Sequence, residues 1–361
     1  MSVRLGYRLA MTNNPIRCDI FCTVIDNYGD AGVCWRLARQ LAEEYGWRVR
    51  LWIDDPAPLQ RLVPNLAAGP VEVRAWPQAW PAPWLATDCA DVVIEAFACN
   101  PPQPYVEAMA VCVRPPIWLN LEYLSAEPWV PGCHRMSSPH PRLPLVKYFF
   151  FPGFAEGTGG LLRERDYDAR RASFDETAFR AEFGLPAKAP DELTISLFSY
   201  ENPALPALVK AWAASKRPIR VLRPGDGEAA SKTGSLSLHP LPFLPQRRYD
   251  ELLWACDLNF VRGEDSFVRA QWAAKPFVWH IYPQADAAHR AKLDAFLALH
   301  PAGPQLEAFW RAWNGEGSLD WPDFAARLPG LSQPMKQWKE TLETRPDLAS
   351  GLVQFCLDRI K

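Results

Sequence analysis

Two aspartates in a short turn have the type and spacing of residues that handle a cation or a proton. Asp26 and Asp30 lie in the segment DNYGDAG, which follows an apolar, β-branched segment and precedes Val33, Leu37 and Leu41 at helical spacing. Fixed negative charge here repels a phosphate but suits a cation or a group that must lose a proton. The sequence therefore predicts an acceptor-binding turn, with any phosphate bound elsewhere.

A second segment, VRGEDSFVRAQWAAKP, has the features of that phosphate site. A predicted strand ends at Val261, Arg262 follows it, and a predicted helix begins near Asp265 or Ser266. The N–H groups of the first helical turn, the Ser266 hydroxyl and the Arg262 guanidinium together suit a diphosphate. Glu264 and Asp265 would repel it unless they face sugar hydroxyls or a cation. The alternative is an ordinary helix N-cap at Asp265 or Ser266, with Arg262 in a surface ion pair.

Aromatic residues and one amide at predicted strand ends indicate a wall for a nucleobase. Phe198 and Tyr200 end one strand, Phe243 ends another, and Gln246 begins the next helix. Rings stack on a base, and an amide beside them hydrogen-bonds to its edge. The alternative is that each of these aromatic side chains simply packs in the hydrophobic core. No group of His, Cys and Asp residues has metal-ligand spacing, so we expect neither a metal nor another cofactor.

Strands and helices alternate along both halves of the chain and place these residues at strand ends. The strands are predicted at residues 20–25, 49–53, 71–75, 91–95, 117–120, 149–151, 193–199, 219–222, 236–243, 257–261 and 277–281. This alternation predicts an α/β protein with two open, doubly wound units whose carboxyl edges face each other across a cleft. Two-domain glycosyltransferases, some epimerases and periplasmic binding proteins share this plan. The strand ends of the first unit are expected to bring polar groups to one rim, namely Asp26, Glu95, and Asn120 with Glu122; the alternative for Glu95 and Glu122 is a helix cap or a surface charge.

The same alternation predicts the domain boundaries. Residues 15–170 are expected to form a Rossmann-like acceptor-binding domain, and residues 185–330 a second Rossmann-like domain that binds the nucleotide. The glycine-rich segment 157–160 is expected to be a mobile hinge or a wall of the cleft between them.

The composition argues against several classes of function. The 361 residues include 39 basic and 41 acidic side chains, well mixed, for a net charge of −2, which favours neither a nucleic-acid partner nor a membrane surface. The nine cysteines are scattered, as in a reduced cytoplasmic protein rather than a disulfide scaffold. No apolar run is typical of a signal peptide or a membrane span. If Met11 is the natural start, residues 1–10 are a disordered extension.

Several long segments carry a family resemblance. The sequence resembles the EarP family, the bacterial arginine rhamnosyltransferases that act on elongation factor P, from about residue 20 to residue 284, in the segments TVIDNYGDAGVCWRLARQLA, IWLNLEYLSAE, GGLLRERDYD and VRGEDSFVRAQWAAKPFVWHIYPQ. The resemblance implies a GT-B fold, dTDP-β-L-rhamnose as donor, and one arginine of elongation factor P as acceptor. It also implies inversion at the sugar, rescue of ribosomes stalled on polyproline, and, by analogy with the fold, a helix at about 335–361 that packs back on the first domain.

The resemblance also implies roles for individual residues. The catalytic positions of the family correspond to Asp26, Asp30 and Glu264. The donor-binding positions correspond to Phe198, Tyr200, Phe243, Gln246, Arg262, Asp265 and Ser266.

This chemistry agrees with the two carboxylates of the turn. The pKa of a guanidinium lies far above that of a carboxylic acid, so a carboxylate cannot deprotonate it outright. Two carboxylates can instead orient one nitrogen and accept its proton as positive charge builds during attack. We expect Asp30 to be the base and Asp26 its orienting partner, while Arg262 and the helix amides stabilise the departing diphosphate without a metal.

Three alternatives remain at the level of sequence. Another nucleotide-sugar-dependent GT-B transferase would share both segments. An oxidoreductase or epimerase would need a glycine-rich fingerprint and a ribose-binding acid; Asp54 lies near the right position, but the glycines are missing. A non-catalytic module would use the acidic cleft to dock a basic loop without releasing dTDP.

Overall fold

The two predicted α/β units are present as two separate sheets. The computed structural model describes residues 14–26, 28–77, 80, 83–225, 229–283, 288–301 and 303–360. The extension expected at residues 1–10 lies outside these ranges.

The first sheet has seven strands in the order β3-β2-β1-β4-β5-β7-β6. These are β1 (Arg17–Cys22), β2 (Arg48–Ile53), β3 (Val71–Ala75), β4 (Val92–Ala96), β5 (Ile117–Leu121), β6 (Ser137–Pro139) and β7 (Val146–Phe150). All pairs are parallel except β6 with β7. The short edge strand β6 has no hydrophobic alternation, which explains why the sequence did not predict it.

The second sheet has six strands in the order β10-β11-β9-β8-β12-β13. These are β8 (Leu193–Leu197), β9 (Ile219–Pro224), β10 (Ser231–Thr233), β11 (Leu236–Leu241), β12 (Leu258–Arg262) and β13 (Phe277–His280). Only β10 runs antiparallel to its neighbour.

Helices connect and cover both sheets. They are α1 (Tyr28–Tyr45), α2 (Ala57–Leu62), α3 (Gln103–Ala110), α4 (Val130–Cys133), α5 (Tyr167–Ala172), α6 (Glu176–Glu182), α7 (Leu205–Ala213), α8 (Gln246–Ala255), α9 (Asp265–Ala273), α10 (Ala288–Leu299), α11 (Pro304–Trp313), α12 (Trp321–Glu343) and α13 (Leu348–Leu357).

Each sheet reverses its strand order at one point, where open α/β sheets bind ligands. In the first sheet this point lies between β1 and β4, and in the second between β8 and β12. The carboxyl ends of β1, β8 and β12 and the loops that follow them carry the residues predicted to do chemistry, Asp26, Tyr200 and Arg262 among them. The fold therefore brings both predicted segments to reversal points.

The turn after β1 begins earlier than predicted. The strand ends at Cys22 rather than at residue 25, because side chains take over the hydrogen bonds of the following backbone. The Val24 N–H donates to Asp54 Oδ1 at 2.9 Å, and the N–H groups of Ile25 and Asp26 both donate to Asp30 Oδ2 at 2.8 Å. Asp54 therefore stabilises the turn, which accounts for the acid that the dinucleotide alternative assigned to a ribose.

The two C-terminal helices belong to different cores. Met335, Trp338 and Leu342 of α12 pack with the second sheet, whereas Leu348 and Leu352 of α13 pack with β1 and α1 of the first sheet. The chain thus returns to the first sheet in the turn between α12 and α13. The predicted boundaries at 170, 185 and 330 stay predictions, since the cores do not assign the connecting residues to one unit.

The glycine-rich segment packs tightly rather than serving as an open hinge. A Cβ on Gly159 would lie 2.8 Å from the Phe150 ring and 3.0 Å from Leu348 Cδ1. Gly160 has a φ of +74° and faces the backbone of Pro346, and the Leu348 N–H donates to Leu161 O at 3.0 Å. These glycines permit close approach of the chain beside α13.

Candidate active site

A cavity between the two sheets contains most of the predicted site. Its volume is about 580 Å³, counted with its open mouth. Its wall includes Asp26 and all the predicted donor-binding residues, Phe198, Tyr200, Phe243, Gln246, Arg262, Asp265 and Ser266. Asp30 and Glu264 are not part of this wall, although both are close enough to influence the charge of Asp26 or of each other.

Asp26 meets the second lobe directly. The Tyr200 hydroxyl lies 2.8 Å from Asp26 Oδ1 and 2.9 Å from Oδ2. A Cβ on Gly29 would lie 2.5 Å from Asp26 Oδ2, and one on Gly263 would lie 2.6 Å from it. Burial raises the pKa of Asp26 to about 6, against the opposing effects of the Tyr200 hydroxyl and the Arg262 guanidinium. Two glycines therefore make room for a carboxylate that titrates near neutral pH.

Asp30 lies behind Asp26, in the first turn of α1. Its side chain is 2% exposed, and its Oδ2 accepts the two backbone N–H groups that shape the turn. The Tyr123 hydroxyl also hydrogen-bonds to it. Burial raises the pKa of Asp30, and the N–H donors of Asp26 and Ile25 oppose that rise. Asp30 thus holds the turn in shape in addition to any part in the reaction.

Glu264 connects the second lobe to the first. Its Oε1 accepts the Leu124 N–H at 3.0 Å. Burial raises the pKa of Glu264 to about 8, and the Lys292 ammonium opposes this. The Lys292 Nζ in turn lies 5.3 Å from the centre of the Tyr123 ring. Lys292 and Tyr123 were not predicted, because their proximity depends on how the two lobes meet.

The N-terminus of α9 differs from the ordinary cap that the sequence left open. The N-cap residue is Glu264, whose side chain caps no helical N–H. The Ser266 hydroxyl accepts the Arg262 N–H at 3.0 Å and donates to the Arg262 carbonyl. This hydroxyl is therefore engaged within its own turn, and the first-turn N–H groups remain the donors available to an anion.

Arg262 lies on the aromatic wall rather than in a surface ion pair. Its guanidinium carbon lies 4.2 Å from the centre of the Phe198 ring and 4.7 Å from that of Tyr200. Its Nη1 donates to Ser199 O at 3.3 Å. Within the described ranges no carboxylate lies within 4.0 Å of its nitrogens. The predicted base wall and the predicted phosphate ligand thus share one surface.

Phe243 and Gln246 close the other side of the cavity. The Phe243 ring lies 4.8 Å from the Tyr28 ring. Gln246 Nε2 donates to Gly32 O at 3.0 Å and to Asp265 Oδ2 at 3.1 Å. Gln246 Oε1 is buried and lacks a hydrogen-bond partner among the described residues, so it remains an acceptor for a ligand N–H.

A buried group of charges, which we call the ion cluster, lies beneath the cavity and was not predicted. It consists of Arg36, Arg39, Glu164, Asp250, Asp265 and Arg269. The partly exposed Arg170 pairs with Asp250 at the edge of this cluster, at 3.3 Å. Arg36 Nε lies 2.6 Å from Asp265 Oδ1. The one available signal was that Arg36 and Arg39 lie among the apolar residues at positions 33–41 of α1, because buried arginines are almost always paired.

The predicted rim residue Glu95 lies elsewhere. Its carboxylate is fully buried and accepts from Trp118 Nε1 at 3.1 Å and from Lys147 Nζ at 3.2 Å. Asn120, from the neighbouring strand, accepts the Ala98 N–H at 3.0 Å. Glu95 is therefore neither part of the site nor a surface charge or helix cap.

The sequence matches a protein-family model over most of its length. The family model described as elongation-factor P (EF-P) rhamnosyltransferase EarP matches residues 18–357. The chain belongs to the EarP family. A curated relative, the protein-arginine rhamnosyltransferase of Pseudomonas aeruginosa, is 46% identical over a gapped alignment of 379 positions, which covers 94% of this chain and 98% of the relative.

Solved structures agree with EarP membership and define the fold. A structure described as the basis for EarP-mediated arginine glycosylation of translation elongation factor EF-P is 34% identical, with a TM-score of 0.68, and covers 95% of this chain and 99% of that one. MurG of Acinetobacter baumannii is 12% identical, with a TM-score of 0.52, and covers 96% and 100%. The predicted GT-B fold is confirmed.

The described part of this EarP-family chain has neither a candidate membrane-spanning helix nor a candidate metal site. No helix there is both long and apolar enough to span a membrane. Nor does that part of the chain contain three or more His, Cys, Asp or Glu side chains grouped so that they could hold a metal ion.

Proposed function

We propose that this protein transfers L-rhamnose from dTDP-β-L-rhamnose to one arginine of elongation factor P, with inversion at the sugar. The modification would activate elongation factor P in the cytoplasm for ribosomes stalled on polyproline. The observation that carries the proposal is the meeting of Asp26, from the first lobe, with Tyr200 and Gly263, from the second, in one cavity. Family membership supports the same reaction.

The acceptor half of the reaction uses the carboxylates. A guanidinium that enters the cavity meets Asp26, which exchanges its contact with the neutral Tyr200 hydroxyl for one with a cation. Asp30 lies behind and stays the proposed base, with Asp26 as the orienting partner. As the guanidine nitrogen attacks the anomeric carbon, it loses its proton to a carboxylate.

The donor half uses the second lobe. The base would stack on the wall that contains Phe198 and Phe243, with Gln246 Oε1 free to accept its N–H. Arg262 and the N–H groups at the start of α9 would bind the diphosphate. The carbon–nitrogen bond forms on the face opposite the breaking carbon–oxygen bond, so one displacement inverts the anomeric centre. The diphosphate leaves with the bonding electron pair, which Arg262 stabilises.

The direct test is transfer to the purified acceptor. Elongation factor P is incubated with the enzyme and dTDP-rhamnose, and intact-mass spectrometry should find one added deoxyhexose on one arginine. An acceptor with that arginine changed to lysine should gain none. Binding of elongation factor P without dTDP release would instead support a non-catalytic module, and transfer only from another nucleotide sugar would support a different GT-B activity.

Asp30→Asn tests the proposed base. Asparagine can still accept the N–H groups of Ile25 and Asp26 through its oxygen, so the turn should keep its shape. Turnover should fall by about 10²–10⁴-fold, the usual contribution of a general base. The dissociation constant for dTDP, measured by calorimetry, should stay within about threefold. Wild-type turnover would refute the role of Asp30.

Arg262→Ala tests the donor half. Loss of the guanidinium removes a charge-assisted contact worth about 1.5–3 kcal/mol, so the dissociation constant for dTDP should rise by about tenfold or more. The matched control is Arg223→Ala, on strand β9 of the same sheet and outside the cavity wall, which should leave dTDP binding unchanged. Equal binding by wild type and Arg262→Ala would place the diphosphate elsewhere.

A further inference from the structure

Asp265 presents an electrostatic problem for the proposed donor site. Its carboxylate is part of the same cavity wall as Arg262 and Ser266, at the start of α9. A diphosphate bound by Arg262 and the helix amides would therefore lie close to a negative side chain. Like charges at such a distance repel strongly when the surroundings are partly dry. The site needs a cation that cancels the charge of Asp265 without taking the place of the ligand.

We propose that Arg36 is that cation, and that it is a positioning residue for donor binding which acts through Asp265. This inference rests on the proposed function, because it concerns the diphosphate of the same donor. Arg36 belongs to α1, in the opposite lobe, and reaches Asp265 from beneath the cavity. It neutralises Asp265 and fixes the orientation of its carboxylate.

The contacts support this assignment. Arg36 Nε lies 2.6 Å from Asp265 Oδ1, and the Arg36 side chain is 1% exposed. Gln246 Nε2 holds the second oxygen of Asp265 at 3.1 Å. Each carboxylate oxygen of Asp265 thus accepts a hydrogen bond from a side chain that is itself buried. A carboxylate held in this way cannot turn toward an incoming phosphate.

The other arginines of the ion cluster do not share this task. Arg269 pairs with Asp250 at 2.8 Å and with Glu164 at 2.8 Å. Arg39 pairs with Glu164 at 3.0 Å. Among the lysines, arginines and histidines that the structure describes, Arg36 alone has a side-chain nitrogen within 4.0 Å of the Asp265 carboxylate. Arg39 therefore provides a matched control, since it lies on the same helix and contacts the same cluster.

Arg36 also has contacts that a purely structural residue would have. Its Nη1 lies 3.0 Å from Glu164 Oε1, and its Nη2 lies 3.3 Å from Asp250 Oδ1. Loss of the side chain would therefore lower stability as well as alter the donor site. The test must separate the two effects, and the charge of the ligand does so. Repulsion from an unpaired Asp265 acts on a diphosphate and not on the uncharged nucleoside.

The experiment compares dTDP with thymidine in the purified full-length chain. Dissociation constants are measured for the wild type, Arg36→Gln, Arg39→Gln, Asp265→Asn and the double variant Arg36→Gln/Asp265→Asn, with melting temperatures taken alongside. Arg36→Gln should raise the dissociation constant for dTDP by about tenfold or more. The dissociation constant for thymidine should stay within about threefold of the wild-type value. Arg39→Gln should keep both affinities. In the Asp265→Asn background, Arg36→Gln should change dTDP affinity by less than about threefold.

Three results would overturn the inference. They are unchanged dTDP binding in Arg36→Gln, a parallel loss of dTDP and thymidine affinity, and an equal loss of dTDP affinity in both backgrounds at position 265. If Arg36→Gln does not fold, Asp265→Asn and the double variant decide, because neither leaves a carboxylate at position 265; a tenfold difference between them overturns the inference. Failure of the wild type to bind dTDP would instead refute the proposed function.

Discussion

At the scale of single residues, the site depends on carboxylates whose protonation is set by burial. The pKa of Asp26 rises to about 6 because the side chain is withdrawn from water, and the Tyr200 hydroxyl limits this rise by donating to the charged form. Asp26 is therefore protonated below about pH 6 and ionised above it. Only the ionised form can pair with a guanidinium, so the acid limb of the rate profile should follow this group.

Tyr200→Phe tests the link between the hydroxyl and Asp26. Without the donor, the charged form of Asp26 loses stabilisation, so its pKa rises and the acid limb moves to higher pH by roughly half a unit to one unit. The measurement is kcat/KM for elongation factor P from pH 5 to 9 at saturating donor. Tyr282→Phe is the control, because this ring touches Tyr200 but not Asp26. An acid limb that stays in place or moves to lower pH would contradict the prediction.

At the scale of elements, the strand–turn–helix connections place the chemistry. The turn after β12 reaches Asp26 only because Gly263 adopts a φ of +58°, where a side chain is strained, and because a Cβ there would lie 2.6 Å from Asp26 Oδ2 and 3.0 Å from the Tyr200 hydroxyl. The glycine thus meets two requirements, one of backbone conformation and one of space.

Gly263→Ala should therefore lower transfer activity as well as stability. The left-handed conformation alone costs about 1–2 kcal/mol of unfolding free energy, and the clash should add to it and lower transfer by about tenfold or more. Urea denaturation and the transfer assay measure the two effects.

The control for this substitution is Gly184→Ala. Gly184 has a φ of +64° and no atom within 4 Å of its Cβ position. The Gly184→Ala variant should lose about as much stability from backbone strain as Gly263→Ala does, and it should keep full transfer activity. Equal activity in the two variants would mean that the space beside Asp26 is not needed.

The elements could be predicted because local patterns determine them. The parallel strands are short apolar runs bounded by turn residues, and their predicted bounds lie within a few residues of the observed ones. Strand β1 was extended too far, since nothing in the apolar run reveals that Asp30 and Asp54 satisfy the backbone beyond Cys22. The edge strands β6 and β10 lack hydrophobic alternation, so the sequence did not predict them.

The long-range pairings could not be predicted. Arg36 and Asp265 are 229 positions apart, and no local period connects them. Glu95 was expected at the rim because it ends a strand, yet its side chain points to Lys147 within the sheet. Residue types near strand ends thus identify candidates, whereas partners depend on how the two lobes meet.

At the scale of the whole molecule, α13 joins the C-terminus to the first lobe. Leu352 is fully buried in the core that also contains Ile20 and Leu37. The chain therefore crosses between the lobes before β8 and again after α12. Two crossings restrict any relative motion of the lobes more than one linker would.

Leu352→Ala should destabilise the protein through the first lobe. Truncation of a fully buried leucine costs about 2–5 kcal/mol of unfolding free energy, measured by urea denaturation. Gln354→Ala, on the exposed side of the same helix, should change it by less than about 0.5 kcal/mol. A small effect of Leu352→Ala would mean that α13 contributes little to the first lobe.

The position of α13 also has a consequence during synthesis. Its apolar side chains pack against β1 and α1, which leave the ribosome early, while α13 is translated only after all the strands of the second sheet. Until then the nascent first lobe exposes apolar surface that α13 later covers. Maturation of the first lobe therefore awaits synthesis of α13, and chaperones that shield nascent apolar surface have their target there.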